Sequence, residues 1–161
     1  MTFHLVEEQE KSQWCWAAVA QTVGHYYAPS STMKQCAIAR SVLRLNQCCD
    51  DAATEESCDQ TADLKRALKA VGRDCVRTSG ALAFGQVRAE IDAGRPVCVR
   101  IGWPGGGGHA VIISGYRIQN NGAQQIKVQD PLRGGSWRDY ETFPTAHRLC
   151  GEWADTYLIR G

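Results

Sequence analysis

Gln9-Glu10-Lys11-Ser12-Gln13-Trp14-Cys15-Trp16-Ala17 is the stretch whose reading decides the fold. Ser12 is a good helix N-cap, and Trp16, Val19, Ala20, Val23 and Tyr27 follow it at helical spacing. This places Cys15 in the first turn of a helix, where unpaired backbone N–H groups and the helix dipole favour negative charge. A thiol held there ionises more readily, and the thiolate is the nucleophile. Trp14 and Trp16 flank it with bulk that limits water, so both are read as cleft residues. Gln9, six residues upstream, is in reach to offer an amide N–H to an oxyanion formed at the same sulfur. The plain alternative is a structural cysteine at a helix start or in a disulfide.

A second stretch bears on that choice. Gly105 to Gly108 is a glycine run, followed by His109 and the apolar Ala110-Val111-Ile112-Ile113. A cysteine nucleophile needs a base within hydrogen-bond reach, and the base needs a third group to orient its ring. Asp130 closes the strand-like Gln125-Ile126-Lys127-Val128-Gln129 and precedes Pro131. If that strand pairs with the one beginning at His109, Asp130 and His109 meet at one end of a hairpin. Bare glycine backbone, with Gly108 next to the histidine, suits close approach by a substrate chain; a plain flexible loop is the other reading.

Cys15, His109 and Asp130 in this order, with Gln9 upstream, resemble the papain-like cysteine proteases. The motifs are Gln-x5-Cys-Trp-Ala and Gly-His-Ala-Val. The chain is more similar to the compact bacterial branch, the avirulence-type effector proteases, which show Trp-Cys-Trp-Ala-Ala, Gly-His-Ala-Val and Asp-Pro in series. The likeness runs from Gln9 to about Pro131. It departs from the plant and lysosomal enzymes, which carry Cys-Gly-Ser-Cys-Trp and a histidine about 130–150 residues downstream. Here Ser12-Gln13-Trp14 precede the cysteine, the histidine comes sooner, and an aspartate replaces papain's asparagine. The resemblance implies an α+β, papain-like fold, with a helix carrying Cys15 across a cleft from a sheet carrying His109 and Asp130. It implies a cysteine endopeptidase needing no metal or organic cofactor. It also implies an exported bacterial effector delivered into a target cell, with a protein or peptide substrate and a cognate inhibitor (immunity) protein in the producer. A cell-wall amidase, a deamidase or transglutaminase-like enzyme, and a catalytically silent binding module are the rivals.

At 161 residues, 43% hydrophobic and 22% charged, the chain reads as one globular domain and is expected to act as a monomer. Helices are expected over about 1–94 and an antiparallel sheet over about 95–161. A net charge of +1 gives no reason to expect nucleic acid, and no apolar run approaches the ~20 residues of a membrane span. Glu7, Glu8 and Glu10 interrupt anything like a signal peptide, so either export uses another route or this is part of a longer protein.

Eight cysteines are many for a reduced compartment. With Cys15 free, one more is unpaired, and Cys98 in the apolar Pro96–Val99 is the choice. Cys36, Cys48, Cys49, Cys58, Cys75 and Cys150 are then expected to bridge. A zinc cluster of Cys36, Cys48, Cys49 and Cys58 is the rival, disfavoured because adjacent cysteines grip one tetrahedral ion poorly.

Helices are expected at 33–45, from Thr61 to Val71, and at 84–93; strands at 97–103, 109–118, 125–129, 137–140 and 155–159. Asn120-Asn121-Gly122 is a hairpin turn. Asn46 to Gln60 reads as an acidic, stapled surface loop. Of the other histidines, His25 lies ten residues along the helix from Cys15, about 15 Å away and rotated roughly 280°; His4 and His147 read as surface. Gln13 competes with Gln9 as amide donor. Trp137 either shields the His–Asp pair, as a tryptophan does in papain-like enzymes, or is core.

Overall fold

A computed structural model describes residues 5–50 and 57–160; the reading of His4, and of Asp51, Glu55 and Glu56 in the acidic loop, lies outside them. The elements are α1 (Cys15–Tyr27), α2 (Gln35–Leu43), a short 3-10 turn (Asn46–Cys49), α3 (Leu64–Ala70) and β1 (Asp74–Ser79). Then come α4 (Phe84–Asp92), β2 (Val97–Gly102), β3 (Gly108–Ile118), β4 (Gln124–Asp130), β5 (Gly134–Asp139), α5 (Phe143–Ala146) and β6 (Glu152–Arg160). The strands form one sheet in the order β1-β6-β2-β3-β4-β5, with every pair antiparallel. The fold is α+β, with N-terminal helices followed by a mainly C-terminal sheet.

The continuous apolar runs of β2 and β3 have a physical cause: both faces of the sheet are covered. Cys98, Ala110, Ile112, Tyr157 and Ile159 pack with α1, α2 and α3. The alternating residues Val97, Val99, Ile101, Val111 and Ile113 pack with α4, Phe143 and Trp153 on the other face. Gly24 in α1 lets that helix lie close to α3, since a Cβ there would come within 3.2 Å of Val71.

Some expectations need correction. Ser12 does not cap α1. Lys11 to Trp14 make a turn closed by Trp14 N–H to the Lys11 carbonyl (3.1 Å), and the helix begins at Cys15. The Ser12 hydroxyl and the Gln13 N–H instead donate to the Asp59 carboxylate, at 2.6 and 2.7 Å. β1 is an unexpected strand inside the helical half. Only Cys75 of its six residues is buried, so it lacks an apolar alternation to read. The short helix α5 was not expected either; Pro144 lies in its first turn.

The cysteines pair as Cys36–Cys49 and Cys48–Cys58. Cys75 and Cys150 are free rather than bridged, as are Cys15 and Cys98. Cys75 is enclosed beside β6 and Cys150 projects into solvent, so neither has a partner sulfur. The sulfurs proposed for zinc bind one another, which removes the cluster reading. The bridged loop is more than a surface staple. Its Cys58 carbonyl accepts the Trp14 indole N–H (2.7 Å) and its Gln60 carbonyl accepts that of Trp16 (3.0 Å). Together with Asp59, it fixes the entry to α1. Among the described residues, no helix is long and apolar enough to cross a membrane.

Candidate active site

Cys15 is the first residue of α1, half-buried, with its thiol free. Its helix start has no side-chain cap, so the backbone N–H groups of the first turn carry the partial positive charge of the helix end. On the sheet, β3 and β4 form the hairpin closed at Asn120-Asn121-Gly122, where the Gln119 N–H donates to the Ala123 carbonyl and Gly122 takes φ +84°. Its register pairs Ile112 with Gln129, so His109 and Asp130 meet at the open end. His109 Nε2 donates to Asp130 Oδ1 at 2.7 Å, and both residues are buried. Cys15 and His109 line the same cleft and Cys15 acts on the ring, so with Nε2 taken by Asp130 the nitrogen left for the sulfur is Nδ1.

The electrostatics follow from those contacts. Burial alone lowers the His109 pKa. The hydrogen bond and charge of Asp130, together with the interaction with Cys15, overcome this and raise it from 6.5 to about 9. Burial pushes the Asp130 carboxyl up. The His109 hydrogen bond and charge, the Leu132 N–H (2.9 Å to Oδ1) and the Arg148 charge outweigh it, leaving the pKa at about 2. At neutral pH the pair is imidazolium and carboxylate.

A cleft of about 450 Å³ opens over this pair. Cys15, Trp16, Gly108 and His109 line it, with Leu64 and Tyr157 as apolar wall. Arg77 and Arg100 also border it and share the Asp155 carboxylate, at 3.1 and 2.7 Å. Trp16 and Gly108 are therefore among the residues lining this cleft. Trp14 is not: its ring is buried in the helical core, held by the Cys58 carbonyl, because alternate residues at a helix start point to different sides. The glycine run is the β2–β3 turn. Gly106 and Gly107 take φ of +96° and +81°. A Cβ on Gly108 would come within 2.9 Å of Arg100 Nη1 and 3.0 Å of the Ile101 carbonyl. Steric need at the strand crossing thus explains part of the run.

Gln9 is held near the pair by its backbone N–H, which donates to the Pro131 carbonyl (3.1 Å). Its side-chain N–H groups both donate to the turn before Cys15, to the Lys11 and Ser12 carbonyls at 2.8 Å each. The backbone N–H of Gln13, the rival amide donor, is taken by Asp59. His25 lies at the far end of α1 with Nδ1 at 3.1 Å from Glu7, away from Cys15 as the helix geometry required.

Two more expectations fail here. Trp137 neither shields the His–Asp pair nor joins the core. β5 pairs with Asp130 at Gly134, and three residues of strand, about 10 Å, carry Trp137 away to an exposed position under Arg117 and Lys127. His147 is not a surface residue. It is buried beside Trp103 and Phe143, with Nε2 3.8 Å from Asp130 Oδ2. Burial is the main reason its pKa falls to about 4. The residue that sequence reasoning missed is Arg148, whose Nη2 lies 2.5 Å from Asp130 Oδ2. Nothing around it in the sequence marks it, because its partner is fixed only by folding.

A free cysteine at a helix start, facing a histidine oriented by a carboxylate, is the side-chain set of a thiol hydrolase. A family model described as "Papain-like cysteine protease AvrRpt2" matches residues 2–143, and the chain belongs to that family. It is a papain-like cysteine protease, acting on protein substrate. No curated protein sequence matches the chain.

Proposed function

We propose that the protein is an endopeptidase working through Cys15, His109 and Asp130. The observation that carries this reading is the 2.7 Å bond from His109 Nε2 to Asp130 Oδ1, with the other side of the ring turned to Cys15 at the floor of the cleft.

Asp130 holds the imidazole with Nδ1 toward the sulfur. An imidazolium beside a sulfur favours its thiolate, which attacks the peptide carbonyl. The negative oxygen that forms is met by the Cys15 backbone N–H and by the Gln9 amide, which exchanges one of its turn carbonyls for the oxyanion. His109 Nδ1 gives its proton to the leaving amine, and the C–N bond breaks to leave a thioester on Cys15. Water then attacks, giving its proton to His109, and the acid product departs with the thiolate restored. Trp16 and Gly108 form the sides along which the substrate chain lies.

The protein acts as a single-domain monomer. Its family membership supports the role of a bacterial effector delivered into another cell, where it cleaves a specific protein, with an inhibitor protein guarding the producer. Cys15→Ala and His109→Ala should each abolish cleavage of an unfolded protein substrate while leaving the circular dichroism spectrum unchanged. Full activity in Cys15→Ala would sink the assignment.

A further inference from the structure

The Asp130 carboxylate is enclosed, and its two oxygens have different company. Oδ1 accepts from His109 Nε2 and from the Leu132 N–H, at 2.7 and 2.9 Å. Among the described residues, Oδ2 accepts only from Arg148 Nη2, at 2.5 Å, because His147 Nε2 at 3.8 Å is too far to bond. We propose that Arg148 is a positioning residue: by holding Oδ2 it keeps the carboxylate turned so that Oδ1 meets His109. This rests on the Cys15–His109–Asp130 reading above. Arg148 lies beyond the residues that match the family, which end at 143.

The segment carrying Arg148 is built to hold one position. Arg148 and Leu149 both take left-handed backbone, at φ +49° and +79°, which non-glycine residues adopt only when their surroundings require it. The turn is closed by paired bonds between His147 and Gly151, at 2.9 and 2.7 Å. Gly151 is wedged so tightly that a Cβ would lie 2.6 Å from both Ile101 and Trp103. Leu149 is left almost wholly exposed, so the apolar residue of this turn is not what anchors it. Arg148 reaches Asp130 through Nη2, while its Nε is buried with no hydrogen-bond partner among the described residues.

Removing the guanidinium strands a buried carboxylate oxygen, and an unmatched buried charge is costly. Asp130 then rotates, draws in water or takes up a proton, and each outcome weakens its hold on His109. The charged and titratable groups that act on His109, Asp130 and the neighbouring His147 include Cys15 on α1, Arg148 after α5 and, toward His147, Arg138 on β5. Loss of the Arg148 charge acting through space alone would raise the His109 pKa, because a neighbouring cation disappears. Loss of the Asp130 orientation lowers it. The two effects have opposite signs, so a pH profile separates them.

The test is the pH dependence of kcat and KM for Arg148→Ala, Arg148→Gln and Arg148→Lys beside Asp130→Ala, with folding checked by thermal melts. A positioning role predicts a kcat loss of about 10- to 100-fold in Arg148→Ala, the scale of a lost hydrogen bond to a charged group, with KM changed less than threefold. The basic limb moves to lower pH. Millimolar guanidinium restores part of the kcat in Arg148→Ala but none in Asp130→Ala, and Arg148→Lys recovers part of it. If Arg148→Ala does not fold, Arg148→Gln carries the same expectations. A kcat within twofold of wild type, or a loss with an unmoved or raised basic limb and no guanidinium recovery, overturns the proposal. Full activity in Asp130→Ala would instead overturn the triad reading beneath it.

Discussion

Asp130→Asn removes a charge while keeping nearly the same shape, and its effect can be worked from the geometry. The His109 pKa stands at about 9 against an ordinary 6.5, a preference for the imidazolium of about 3 kcal/mol at ~1.4 kcal/mol per pH unit. Burial opposes this and remains in the variant. The Asp130 hydrogen bond stands first among the raising influences, and a hydrogen bond to a charged group is worth roughly 2 kcal/mol, or about 1.5 pH units. The active ion pair persists up to the histidine pKa, so the basic limb of kcat/KM should fall from near pH 9 to about 7.5. The deficit of the variant should grow with pH. At pH 6 only the poorer ring orientation is felt, whereas at pH 8.5 a further loss of about tenfold is expected. Initial cleavage rates on a labelled, unfolded protein from pH 5 to 10 measure this directly. A basic limb that stays near pH 9 in Asp130→Asn would refute the reasoning, since another group would then be holding the imidazolium.

Two further outcomes follow from features away from the reacting atoms. Cys48→Ser with Cys58→Ser should cost about 3 kcal/mol, the scale for losing one bridge between cysteines 10 residues apart, with Cys36–Cys49 left in place. It should also reduce kcat, because Cys58, Asp59 and Gln60 hold the entry to α1; chemical denaturation and rate assays read the two effects separately. Stability against pH should peak near pH 6.5. The raised His109 contributes stability that is full below 6.5 and lost as pH rises through about 9. The lowered His147 contributes stability that is present above 6.5 and lost as pH falls through about 4. His147→Gln should flatten the acid side of the melting curve while leaving the alkaline side unchanged.

The parts of the site legible in the sequence are those fixed by local pattern. The Asn120-Asn121-Gly122 turn sets the β3–β4 hairpin, and the hairpin by itself brings His109 to Asp130. Helical spacing after Cys15 likewise places the sulfur at a helix start. What was not legible depends on contacts between distant segments. The Ser12 hydroxyl had a competing partner in Asp59, 47 residues away. Trp14 was indistinguishable from Trp16 until the Cys58 carbonyl claimed its indole. β1 carries too little apolar pattern to announce itself and is recruited by β6. The sequence leaves Trp137 between shielding the His–Asp pair and joining the core, and strand register instead places it under Arg117 and Lys127. His147 and Arg148 sit in a turn whose inward aim comes from Gly151 packing on β2 and Trp103.

The central claim is that Cys15 owes its reactivity to His109. The direct measurement is the rate of iodoacetamide alkylation at each cysteine, resolved by mass spectrometry, in wild type and His109→Ala. The four bridged cysteines should not label, and Cys75 and Cys98 should label slowly because burial raises both thiols. Cys150, free and exposed to solvent, serves as the internal reference. Cys15 should outpace Cys150 many-fold at pH 6.5 in the wild type and lose that advantage in His109→Ala. Equal rates at Cys15 and Cys150 in the wild type, or an advantage that survives in His109→Ala, would contradict the account.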